Sequence, residues 1–259
     1  METNVVRYGI SQVRDLLHPL IKDKKITFSG VADWYVFSLF VLPSYFGIRM
    51  VFFDLTAVRF FEVLLLLGIY VNKKRRADFI ALIKRCPNII FIALYSFVLI
   101  YTDLYRRSIS SILYWLMNCV LVLFCVAYLI VYEYVLEEFV KKVRKCAWII
   151  AAVSPLELVI GKPPFSFLDT LNKSISSERF GNTRIMGNCS TTNGYAMYLM
   201  ILLPLFCYDW EKKRIDIGKN KFLIALIGLN IFLTGSRLTV GTLILAFFYV
   251  LLRSLRALY

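Results

Sequence analysis

Three arginines of this chain, Arg179, Arg184 and Arg237, stand where polar segments run into long apolar blocks. A guanidinium is a planar fork that grips phosphate oxygens through two parallel hydrogen bonds. Several such forks near helix ends suit an anionic head, above all a diphosphate. Around Arg184 the chain reads R-I-M-G-N-C-S-T-T-N-G, residues 184–194. Gly187 and Gly194 let backbone approach a ligand closely. Ser190, Thr191 or Thr192 is placed to cap a helix beginning near Asn193, whose N-terminus adds positive potential toward the same anion. Asn188 and Asn193 carry carboxamides, which both donate and accept hydrogen bonds and so match sugar hydroxyls. A second stretch, L-T-G-S-R at 233–237, sets Ser236 and Arg237 at the opening of another apolar run. Elsewhere Arg59 and Glu62 stand three residues apart inside an apolar run. They form either a functional pair or an internal ion pair that lets the helix insert.

The elements that carry these residues follow from composition. Hydrophobic residues make up 59% of the 259, and mean hydropathy is +0.67, whereas soluble domains run about 45–50% apolar. The expected class is all-α: a polytopic integral membrane protein of about eight transmembrane helices, at 32–48, 55–71, 88–102, 109–131, 146–161, 193–208, 222–235 and 238–252. Net charge is +14. Most of the Lys and Arg cluster in the N-terminal tail, at 72–86, 132–145 and 209–221, and after 252. That alternation places both termini in the cytoplasm and the loop 162–192 outside. Reading 222–252 as one helix leaves Arg237 near mid-bilayer, at a cost of at least ~2.5–3.5 kcal/mol. A turn at Thr234–Arg237 avoids this. Val6, Ile10, Val13, Leu17 and Ile21 make one face of an amphipathic helix, so residues 1–30 form a cytoplasmic tail lying on the membrane and 31–259 the bundle. The six cysteines make no disulfide framework, and no nucleic-acid motif accompanies the basic charge.

The run Arg184, Gly187, Asn188, Asn193, followed by a span, a basic loop, a further span and then Leu233–Arg237, resembles the O-antigen ligase and O-antigen polymerase family of bacterial envelope glycosyltransferases. The resemblance is carried by residues 179–240. It implies a multi-pass protein of the bacterial cytoplasmic (inner) membrane. The donor it implies is an undecaprenyl-diphosphate-linked glycan, polymerised or ligated into O-antigen, capsule or exopolysaccharide. An acceptor hydroxyl attacks the anomeric carbon and the lipid diphosphate leaves. Arg184 and Arg237 then map onto the family's pyrophosphate-binding, catalytic arginines. Arg179, Gly187, Asn188, Asn193 and Ser236 are the expected substrate-binding residues. No metal or nucleotide cofactor is expected. The implied partners are membrane lipids and other polysaccharide-assembly proteins, with no nucleic acid.

The family's pattern continues into a long outer loop with a functional histidine, whereas this sequence ends at Tyr259 and its one histidine is His18 in the tail. A truncated form is therefore expected. The general base stays open among Asp54, Asp103, Glu157, Asp169 and Glu178. The alternative function is a transporter or flippase component, in which the same arginines bind an anionic lipid-linked substrate.

Overall fold

The computed structural model describes residues 27–50, 54–105, 109–172, 177–179, 182–209 and 214–256. The amphipathic helix expected over 5–21 lies outside them. Helices carry most of the described residues, so the all-α class holds. The chain divides into two compact units, one of residues 1–39 and 46–139 and one of residues 40–45 and 140–259.

In the first unit, helix α1 (Phe28–Phe40) starts where Thr27 Oγ1 accepts the Gly30 amide at 3.2 Å. A two-stranded ladder, β1 (Gly47–Arg49) against β2 (Asp54–Thr56), leads into α2 (Ala57–Val71). Thr56 caps α2 through the Arg59 amide, and Asn72 caps α3 (Lys73–Arg85) through the amides of Lys74 and Arg75 at 3.0 and 3.2 Å. Helix α4 (Ile89–Tyr105) follows. Then comes a long helical run, α5, composed of Ile109–Trp115, a π turn Leu116–Val120, Leu121–Tyr128 and a second π turn Leu129–Glu133. Leu65 and Ile69 of α2 and Phe124, Cys125, Tyr128 and Leu129 of α5 are buried where these helices pack. The Tyr128 ring meets the edges of Phe28 and Phe79, with centroids 6.4 and 5.8 Å away.

Helix α6 (Val135–Val153) runs on into the second unit. There a 3-10 turn (Ser154–Leu156), the short α7 (Glu157–Ile160) and a loop lead to β3 (Ser177–Arg179) and β4 (Asn182–Arg184). These strands pair with Ser177 opposite Arg184 and Arg179 opposite Asn182. Helix α8 (Thr192–Cys207) packs on α9 (Lys221–Leu233) and α10 (Arg237–Arg256), over a core of Tyr195, Leu199, Phe206, Ile227 and Ile231. Between α8 and α9, β5 (Tyr208–Asp209) pairs with β6 (Arg214–Ile215), and Lys219 bridges the buried Asp209 at 3.6 Å.

Span number is where the structure departs from expectation. Among the described residues one helix, Ile112–Glu133, is long and apolar enough to cross a bilayer, with mean hydropathy 2.3 over 22 residues. The pair Lys73–Arg85 and Ile89–Thr102, bent by 86°, passes the same criterion only when taken together. Eight bilayer-length helices are not present among the described residues. The cause lies in breaks inside apolar runs. Pro43 follows the end of α1, and the chain turns into β1 where the 32–48 span was expected. Pro155 and the left-handed Gly161 (φ +71°) cut the 146–161 run. Helix α8, at 16 residues, extends about 24 Å against a hydrocarbon thickness of about 30 Å.

Candidate anion-binding site

The site is built in the second unit around residues 184–191, a loop whose conformation is held from several sides. Gly187 has φ +57°. A Cβ there would lie 2.6 Å from the Tyr195 ring and 2.8 Å from Ser154 Oγ, so only glycine fits in both angle and volume. The Glu157 carboxylate, fully buried at the start of α7, accepts the Met186 amide at 2.8 Å and the Gly187 amide at 3.2 Å through the same oxygen, Oε2. Asn188 donates its side-chain amide to the Phe40 carbonyl at 3.0 Å, while its own backbone carbonyl accepts the Ser44 amide at 3.3 Å. Thr191 ends the loop by capping α8 through the Gly194 amide at 3.0 Å.

This held loop projects Arg184 onto the turn between α9 and α10. Arg184 Nε donates to the Thr234 carbonyl at 2.7 Å. Gly235, left-handed at φ +62°, lies so close that a Cβ on it would be 3.2 Å from the same nitrogen. Two residues on, Arg237 begins α10 with its side chain exposed. Ser236 is buried, sharing a hydrogen bond of 2.9 Å with the Thr239 hydroxyl, and its amide donates to Thr234 Oγ1. The two arginine-bearing stretches, separate in sequence, therefore meet at one turn. They offer a guanidinium, a second cationic side chain and the positive end of a 20-residue helix.

The remaining expected site residues divide. Arg179 occupies the end of β3, opposite Asn182 in the ladder whose other strand ends at Arg184. Asn193 is exposed in the first turn of α8. Asn188 does not present its amide to a ligand. It is buried, and its carboxamide spans from the Phe40 carbonyl to the Cys189 thiol, 3.7 Å away. Its contacts place it in the framework of the loop. Burial pushes the Cys189 thiol up to about 12.

Several residues of the site carried no assigned role in the sequence. Tyr195 donates to Asn230 Oδ1 at 3.2 Å, and Asn230 Nδ2 donates to the carbonyls of Ala151 and Leu226 at 3.0 and 2.8 Å. One carboxamide in α9 thus joins α6 and α8 beneath the Arg184 loop. The available signal was a lone polar residue inside an apolar run, which is rarely idle. Among the candidate bases, Glu157 is hydrogen-bonded to the loop. With Oε2 spent on two amides and no exposed surface, it acts as a tether. The side chains of Asp103 and Glu178 lie outside the described residues.

In the first unit, Arg59 and Glu62, read from the sequence as either a functional pair or an internal ion pair, are not joined by a salt bridge. Arg59 donates to the Asp54 carbonyl and to Asn118 Oδ1, and lies over the Tyr114 ring. Both oxygens of the buried Glu62 have no hydrogen-bond partner among the described residues.

No protein-family profile, curated protein or solved structure matches the chain.

Proposed function

We propose that the chain is a multi-pass membrane glycosyltransferase of the bacterial inner membrane. It acts on a glycan carried by undecaprenyl diphosphate, in the manner of O-antigen polymerases and ligases. The observation that carries this reading is the Arg184–Thr234 contact, which draws the 184–194 and 233–237 stretches into one cationic turn at the start of α10. The role of that turn is electrostatic. Arg184 and Arg237 hold the diphosphate and stabilise its growing charge as the bond to the anomeric carbon breaks, in a setting whose donors are fixed beforehand. Arg179 and Asn193 border the same loop and are assigned to the glycan or its headgroup. Membrane residence is supported by large apolar side chains left on the surface, such as Phe91, Phe97, Phe232 and Leu245, in a number a water-facing monomer does not leave exposed.

The test is complementation of a polymerase-deficient bacterial strain, read on a glycan ladder. Arg184→Ala and Arg237→Ala insert normally and give no polymer. Arg184→Lys, which keeps the charge and loses the fork, gives a shortened ladder. Full ladders from both alanine variants refute the reading.

One observation favours a second reading, a transporter or flippase component. Glu62 is a fully buried carboxyl without a hydrogen-bond partner on either oxygen among the described residues, the kind of intramembrane group that couples ion movement to transport. Flux of an anionic lipid-linked substrate across proteoliposomes, abolished by Glu62→Gln, distinguishes it from polymer synthesis, which that variant leaves intact.

A further inference from the structure

Helix α3 carries six basic residues, Lys73, Lys74, Arg75, Arg76, Lys84 and Arg85, and one acid, Asp78, and no residue of it is buried. None of the six forms an ion pair among the described residues. Four of them fill the first turn, where the helix already presents its positive end, and only the neutral Asn72 caps it. Positive charge is disfavoured at that end, so a helix that gathers four cations there calls for an outside anion.

The neighbouring element identifies what kind of anion. Helix α4 is bent 86° from α3 across a short break and exposes a broad apolar face that includes Ile90, Phe91, Leu94, Phe97, Val98 and Tyr101. A basic helix at right angles to an apolar one matches the boundary of a bilayer, where charge meets headgroups and the apolar rod enters the acyl layer. Arg75 lies 3.7 Å over the Phe28 ring and Arg76 lies 5.4 Å from the Tyr70 ring. These contacts hold the helix to α1 and α2 while the lysines stay exposed.

We propose that α3 is an in-plane docking surface for anionic phospholipid. Lys73, Lys74, Lys84 and Arg85 rest on headgroup phosphates, and α4 turns from that plane into the membrane. This surface lies in the first unit and does not depend on the glycosyltransferase reading.

The test uses the full chain in neutral detergent, titrated separately with phosphatidylglycerol and phosphatidylcholine, with bound lipid counted by native mass spectrometry. Phosphatidylglycerol binds more tightly. The variant Lys73→Gln/Lys74→Gln/Lys84→Gln weakens it on the order of a hundredfold, from the contribution of each basic group at a membrane surface, and leaves phosphatidylcholine unchanged. Circular dichroism verifies that the variant keeps its helicity. As a control, Lys141→Gln/Lys145→Gln removes exposed charge from α6 and leaves the preference in place. The wild-type preference also collapses in about 1 M salt, where charges are screened within about 3 Å. Equal affinity for the two lipids, a preference that survives the triple substitution or high salt, or an equal loss in the α6 control overturns the proposal.

Discussion

Three glycines of the second unit share a left-handed backbone and differ in what surrounds them, which makes the rigidity of the Arg184 loop measurable. Gly161 has φ +71°, and a methyl group added to it would meet nothing within 4 Å. Gly161→Ala therefore reports backbone strain alone, about 1–2 kcal/mol. Gly187, at φ +57°, carries the same strain, but its new methyl would meet the Tyr195 ring at 2.6 Å and Ser154 Oγ at 2.8 Å. Neither neighbour is free to retreat, since both are fully buried and Tyr195 is bonded to Asn230. Overpacking of that kind adds about 1–3 kcal/mol, so Gly187→Ala loses about 2–5 kcal/mol in all. Gly235→Ala falls between, because the nearest neighbour of its methyl is the Arg184 side chain at 3.2 Å, a tight approach without the overlap at position 187. Urea unfolding of the purified chain in mild detergent, followed by far-ultraviolet circular dichroism, orders the three. Equal losses at positions 161 and 187 would refute the close approach of the loop to Tyr195 and the argument for its rigidity with it.

Two further outcomes follow from the same framework. Glu157→Ala strands the buried amides of Met186 and Gly187 and lowers stability by about 2–4 kcal/mol. Glu157→Gln keeps one acceptor oxygen and loses less than half as much, both read by the same unfolding assay. For Cys189, a thiol pushed up from 9.0 to about 12 by burial stays protonated and resists iodoacetamide at pH 8 until the chain is denatured. Since the folded state holds this proton more tightly than the unfolded chain, its contribution to stability is complete below pH 9 and fades as pH rises toward 12. Comparing Cys189→Ala with the wild type across that window isolates it, and a wild type whose Cys189 labels rapidly when folded contradicts the raised thiol.

Features that local chemistry decides were partly legible in the sequence. A hydroxyl among Ser190, Thr191 and Thr192 caps α8, and the structure selects Thr191; the chain breaks within Thr234–Arg237, because hydroxyls and a Thr-Gly-Ser run act on their immediate neighbours, whereas the left-handed angles of Gly187 and Gly235 were not read in advance. Helix lengths were less legible. Apolar runs do not record where a chain turns, and Pro43, Pro155 and Gly161 cut two runs that composition alone joins. Contacts across sequence were hidden altogether. The spacing of Arg59 and Glu62 suits a pair on one helix face, yet the guanidinium finds Asn118, 59 positions away. Asn188 has the chemistry to read a sugar and is taken by the Phe40 carbonyl, 148 positions away. A polar residue in an apolar setting advertises that it has a partner and does not say which.

The many anchors of the Arg184 loop bear on how it meets a ligand. A segment already fixed by Glu157, Phe40, Ser44 and the α8 cap has little disorder left to lose when an anion arrives. On the proposed reading, recognition there is lock-like: amide hydrogen exchange at Met186 and Gly187 stays slow before and after pyrophosphate is added, and discrimination among anions comes from the preset shape of the loop.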